Sequence, residues 1–242
     1  MKKINILILA TSKNSVDTKS DFYPICLTEI GNISLLENII LNTKEINLSS
    51  YFFTFSEDDA KKYHLNKIAS ILVDNSKCIL VPENTQGSAC TSLLASCQME
   101  QDSELLIICA NELVKINFQL VLEKFRHNKY DAGTIIFRSI HPRYSYVKLD
   151  ELGHVKEASQ KEPISENATA GVFWYSKTFD FVNGAKNIIR KGATVDDLYY
   201  LALVFNELVL SHNKIGVYDL PHDKYFPLKE DKQINNFEKN KR

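Results

Sequence analysis

Three stretches of this chain carry residue types that can do chemistry. An apolar run over 4–10 ends in Ala10-Thr11-Ser12-Lys13, small and polar residues with one cation. A second stretch, Thr85-Gln86-Gly87-Ser88-Ala89, joins a strand-like run to a helix-like run. A glycine followed by small residues lets main-chain N–H groups approach a base or a phosphate, and the helix that follows adds its positive N-terminal end. The third is the apolar run 104–110, which passes into Asn111-Glu112, an amide and a carboxylate. Each stretch alone also fits an ordinary strand-to-loop junction. In open α/β sheets, however, ligands sit beyond the carboxyl ends of the strands, so residues 11–15, 86–89 and Asn111 are expected to line one crevice.

Periodicity gives the elements that must position these residues. The unbroken apolar run 4–10 suits a central parallel strand buried on both faces. Residues 34–44 place Leu35, Leu36, Ile39 and Ile40 at helical spacing, and 51–55 is an aromatic strand. The stretch 58–71 reads as one amphipathic helix with Tyr63, Ile68 and Ile71 facing inward. A strand over 77–81, a helix over 88–98, the strand 104–110 and a helix over 117–127 complete the alternation. This rhythm implies an α/β fold with a mostly parallel sheet and right-handed crossovers.

The second half changes character. Residues 131–138, 145–149, 155–159 and 169–175 are short strands, a β-rich elaboration. Helices over 177–190 and 195–210 follow, then a strand over 215–219. Asp196 and Asp197 read as caps at the start of the 195–210 helix, and Trp174 and Tyr175 as core aromatics. Residues 1–228 are read as a single domain and 229–242 as a polar tail without apolar periodicity.

Composition excludes several classes. The 242 residues are 44% hydrophobic and 24% charged with a net charge of −1, ordinary for a globular chain and without a bulk electrostatic case for nucleic-acid or membrane partners. No apolar stretch approaches the ~20 residues of a membrane span, so the expected location is cytoplasmic. The five cysteines (Cys26, Cys78, Cys90, Cys97, Cys109) are odd in number and form no Cys-x-x-Cys pair, against a disulfide scaffold or a zinc site.

Residues 24–40, the 85–89 turn and above all 131–175 carry a resemblance. The last includes His141-Pro142-Arg143-Tyr144-Ser145-Tyr146-Val147, Gly153-His154-Val155, Lys161-Glu162-Pro163-Ile164-Ser165 and Asn167-Ala168-Thr169-Ala170-Gly171-Val172-Phe173. In their order and spacing the chain resembles, over nearly its whole length, the nucleotidyltransferases that activate sugar phosphates for bacterial surface polysaccharides. The resemblance implies a Rossmann-like three-layer α/β/α sandwich. It also implies an NTP, Mg²⁺ and a phosphorylated small-molecule acceptor, whose phosphate oxygen attacks the α-phosphorus to release pyrophosphate. Carried over residue by residue, it assigns nucleotide binding to Ala10, Thr11, Ser12, Gln86, Gly87, Ser88 and Asn111, and the acceptor to Lys161 and Gly171. Lys13 and Lys161 take the catalytic cationic roles, and Glu112 and Asp223 the metal.

The chain also departs from the family pattern. Its first loop has neither the glycine nor the closing arginine, Ile25 stands where a lysine is usual, and the metal aspartate falls on or beside Asn111. Gln160 replaces the glutamate that usually precedes Lys161, and Lys161 also fits a solvated loop lysine. Two function classes stay open: a Mg²⁺-dependent nucleotidyltransferase, and a non-catalytic relative acting as a binding or regulatory protein. The absence of an Asp-x-Asp motif weighs against a glycosyltransferase.

Overall fold

The computed structural model describes residues 2–11, 23–82 and 85–228. Strand β1 (Ile4–Leu9) is buried throughout, and alternation sends its side chains into two cores: Ile4, Ile6 and Ile8 into one, Leu7 and Leu9 into the other. Its one polar residue, Asn5, is satisfied inside by the Glu100 carbonyl at 3.0 Å and Thr178 Oγ1 at 2.9 Å. After it come α1 (Leu35–Thr43), β2 (Ser49–Ser56), α2 (Glu57–Tyr63), α3 (Leu65–Leu72), β3 (Lys77–Val81), α4 (Ser88–Ser96), β4 (Glu104–Cys109), β5 (Glu112–Val114) and α5 (Phe118–His127). The second half holds β6 (Ala132–Arg138), β7 (Ser145–Leu149), β8 (Val155–Gln160), β9 (Asn167–Tyr175), α6 (Thr178–Arg190), α7 (Leu201–Leu210), β10 (Ile215–Asp219) and β11 (Tyr225–Pro227).

The main sheet runs β10-β6-β9-β4-β1-β2-β3. β1 pairs in parallel with β2 and β4, β2 with β3, and β6 with β10, while β9 lies antiparallel to both neighbours. One face packs on α1, α2, α3 and α5, the other on α4, α6 and α7, so the fold is a three-layer α/β/α sandwich. The hairpin β7–β8 joins β9 through the pair Tyr146↔Ala168 and forms the β-rich elaboration.

Two expected helices differ. The 58–71 stretch is two helices, because His64 adopts a left-handed conformation (φ 54°, ψ 38°) that breaks the ladder between α2 and α3. The break re-aims the second piece, so Leu65 and Ala69 are buried while Ile71 is 82% exposed. The 195–210 helix starts only at Leu201. Ahead of it, Val195 and Leu198 exchange hydrogen bonds of 3.0 and 3.1 Å around Asp196 and Asp197, both at positive φ, so these aspartates form a tight turn and cap no helix.

Candidate functional site

The chain proceeds from β1 to one side of the sheet through β2 and β3, then crosses back to place β4 on the other side of β1. Beyond the carboxyl ends of β1 and β4, at this switch in direction, lies a cavity of about 330 Å³. Leu9 and Thr11 enter it from β1, Cys109, Asn111 and Glu112 from the end of β4 and start of β5, and Gly87, Ser88 and Thr91 from the first turn of α4. The β-rich half closes the far wall.

Of the residues named from sequence, Thr11, Gly87, Ser88, Asn111, Glu112 and Gly171 line this one cavity. Ala10 lies just behind it, buried, with its N–H donated to the Thr54 carbonyl at 3.1 Å. Gln86 faces away, into an apolar groove between α4 and α6. Lys161 stands on the outer rim at φ 62°, its Nζ 2.6 Å from Asp196 Oδ2. The hydrogen bond it donates to Asp196 is the main reason its ammonium pKa is raised. Asp223 is exposed, pairs with Lys224 at 3.3 Å and does not line the cavity. Ser12 and Lys13 lie outside the described residues.

Both glycines earmarked for ligand approach make room for protein instead. Gly87 sits at φ 97°, and a side-chain carbon there would overlap the Tyr199 carbonyl. That carbonyl accepts the Ala89 N–H at 3.0 Å, Tyr199 N–H donates to the Gln86 carbonyl at 2.9 Å, and Leu201 N–H to Ser88 Oγ at 3.3 Å. The strap 199–201 therefore covers part of the helix end that the sequence offered to a phosphate. Gly171, at φ 61°, leaves the volume that the Glu112 carboxylate fills.

Glu112 is buried, and its Oε2 accepts the Tyr225 hydroxyl. β11 delivers that hydroxyl by pairing antiparallel with β5, and the Tyr225 ring stacks on Phe137 at 3.9 Å. Burial first, then the Glu112 charge, hold the phenol well above its ordinary pKa, so it stays a donor. Beside it, Asn111 Oδ1 is buried without a hydrogen-bond partner among the described residues.

Sequence reasoning assigned no site role to Thr85, Thr91, Arg143, Tyr144, Ser145, Gln160, Thr169 or Tyr200; all line the cavity. Arg143 is the one cation among the described lining residues, and its Nε and main-chain N–H both approach His141 Nδ1, at 3.2 and 3.3 Å. Thr169 and Phe173 were findable, since strand alternation from Gly171 puts both on its face.

The described residues contain no group of three or more His, Cys, Asp or Glu able to cage a metal. Mg²⁺ characteristically binds one or two carboxylates together with substrate phosphates and waters. Glu112 and the unpartnered Asn111 Oδ1 match that limited donor set.

Neither a family model nor a curated protein matches the chain. Solved structures do. A nucleoside-diphosphate-sugar pyrophosphorylase from Vibrio cholerae RC9 superposes with a TM-score of 0.78 at 14% identity, covering 96% of this chain and 98% of that one. A UDP-glucose pyrophosphorylase complexed with UDP-glucose gives 0.79 at 12% identity over 100% of both chains. The inositol-1-phosphate CTP transferase from T. maritima gives 0.76 at 12%, over 98% and 95%. The chain thus has the fold of the sugar nucleotidyltransferases. No helix among the described residues is long and apolar enough to cross a membrane.

Proposed function

We propose that this protein is a cytoplasmic, divergent nucleotidyltransferase that moves a nucleotidyl group from an NTP to a sugar phosphate or small phosphometabolite in surface-polysaccharide synthesis. The observation that carries the reading is the meeting of Ser88 at the α4 N-terminus with Asn111 and Glu112 in one cavity at the sheet's switch point. In this reading the acceptor's phosphate oxygen attacks the α-phosphorus, forming one P–O bond as the bond to pyrophosphate breaks. Ser88 orients the nucleotide, and Arg143 and Lys13 offset phosphate charge. Lys161 holds the acceptor phosphate in exchange for Asp196. Glu112 and Asn111 would hold a Mg²⁺, which when bound would supply neutralisation of the triphosphate charge.

Pyrophosphate release measured with Mg²⁺ across the four NTPs and a panel of sugar phosphates tests the reading. Turnover is expected with at least one pair, and Glu112→Gln is expected to abolish it while leaving thermal unfolding intact. Robust release that survives Glu112→Gln would place the metal elsewhere.

A second reading, a non-catalytic binding or regulatory relative, is favoured by one observation: the Ala89 N–H is already taken by the Tyr199 carbonyl. It predicts thermal stabilisation by an NTP without pyrophosphate release; a ligand at 100 times its Kd contributes about 2.7 kcal/mol. In that case Asn111→Asp increases Mg²⁺-dependent NTP binding by restoring an anionic oxygen.

A further inference from the structure

The two oxygen donors suited to a cation, Asn111 and Glu112, are both held from behind by β11. That strand pairs antiparallel with β5 through Tyr225↔Val114, Phe226↔Leu113 and Pro227↔Glu112. Just past its end the Leu228 N–H donates to the Asn111 carbonyl at 3.3 Å, so the same segment ties down the main chain of both donors. The Glu112 carboxylate is fixed at each oxygen. Its Oε2 accepts the Tyr225 hydroxyl, and its Oε1 occupies the volume that a side chain at Gly171 would take. The hydroxyl is itself held in place, because the Tyr225 ring stacks on Phe137 with centroids 3.9 Å apart and meets Tyr144 at 6.1 Å in an edge arrangement. Glu112 lines the cavity and Tyr225 does not. The phenol therefore acts on a ligand only through the carboxylate.

We propose that Tyr225 is a positioning residue, which holds the Glu112 carboxylate in the orientation that meets a divalent cation beside Asn111. This deepens the proposed function and rests on its reading of Glu112 as a cation ligand. A glutamate free to rotate loses side-chain freedom when a cation arrests it, whereas here the fold has already made the arrest. A carboxylate offers about four lone-pair sites, and the hydroxyl engages one, so its donation does not shut out a metal. The donation also draws charge from the carboxylate, which opposes cation binding. Orientation is the larger effect: losing a partner that orients a metal ligand typically costs about 10- to 100-fold in affinity.

The test is a titration of Mn²⁺ alone into the isotopically labelled full chain, followed by paramagnetic broadening of its backbone amides. In the wild-type chain the broadening is expected to centre on Asn111, Glu112 and Gly171. Tyr225→Phe keeps the ring on Phe137 and removes only the hydroxyl; it is expected to weaken Mn²⁺ about tenfold or more. Should that variant fail to fold, Tyr225→Met, a flexible apolar filler without the donor, carries the same expectation. Tyr51→Phe controls for the loss of a buried phenol as such: its hydroxyl meets Thr43 Oγ1 at 2.9 Å and Tyr51 does not line the cavity, so the affinity is expected to stay unchanged. No broadening at Asn111 and Glu112 in the wild-type chain, an affinity unchanged or raised in the folded variant at 225, or an equal loss in Tyr51→Phe overturns the inference. Pyrophosphate release by the wild-type chain judges the transfer reading by itself, and Mn²⁺ affinity without NTP judges the role of Tyr225.

Discussion

Gly171 and Glu112 share one volume, and that fixes what either position tolerates. The glycine's positive φ and the carboxylate pressed against its α-carbon both exclude a side chain. Gly171→Ala is expected to cost about 2–4 kcal/mol, combining left-handed strain with displacement of a buried, hydrogen-bonded carboxylate. Chemical denaturation measures the loss, and a change under about 0.5 kcal/mol would mean that Glu112 moves aside freely. The glycine was legible from sequence as a special position, but its cause was not. Sequence offers a ligand, a turn or a neighbouring side chain as equal reasons for a glycine, and only the packed structure names Glu112 at 171 and the Tyr199 backbone at 87.

Among the elements, β8 shows how an edge strand is kept from pairing elsewhere. It pairs with β7 on one side, and on the other Asn206 of α7 imitates a strand: its Oδ1 accepts the Ala158 N–H at 2.8 Å and its Nδ2 donates to the Ala158 carbonyl at 2.9 Å. Asn206→Ala leaves both backbone groups unpaired and is expected to cost about 1–3 kcal/mol. Amide exchange at Ala158 should speed up in step; slow exchange in the variant would show that another group takes over. Strand and helix boundaries were largely readable, with β3 matching 77–81 and α5 following its Asn117 cap. The 58–71 and 195–210 helices were misread for one reason. Apolar spacing alone does not reveal a residue at positive φ, and His64, Asp196 and Asp197 all adopt one.

For the whole molecule, burial governs behaviour in alkali. Burial foremost, aided by the Asp59 charge, pushes the Cys26 thiol from its ordinary 9.0 up to about 12. The folded chain keeps a proton that the unfolded chain releases, so this contribution is complete below pH 9 and is lost as the pH climbs towards 12. Tyr51, Tyr175 and Tyr225, raised by burial above 10.0, add to the loss beyond that point. Cys26→Ala is expected to flatten the first part of the decline in denaturation series run from pH 8 upward. A slope identical to that of the wild-type chain would show the thiol ionising freely in the fold.

At this scale the sequence by itself determined the α/β class, the central place of β1 and the β-rich second half, because these follow from local periodicity and from the rule that an all-apolar strand needs cover on both faces. It also brought forward Thr11, Gly87, Ser88, Asn111, Glu112 and Gly171, which line one cavity. Only the tertiary structure decided that Gln86 turns to another groove, that Asp196 holds Lys161 at the rim, and that Tyr225 reaches Glu112 across 113 positions. Each of these depends on which partner a side chain meets across strands or loops distant in sequence. Residue type and spacing carry no record of that meeting, since the same glutamine or lysine satisfies its hydrogen bonds with water when no such partner is brought within reach.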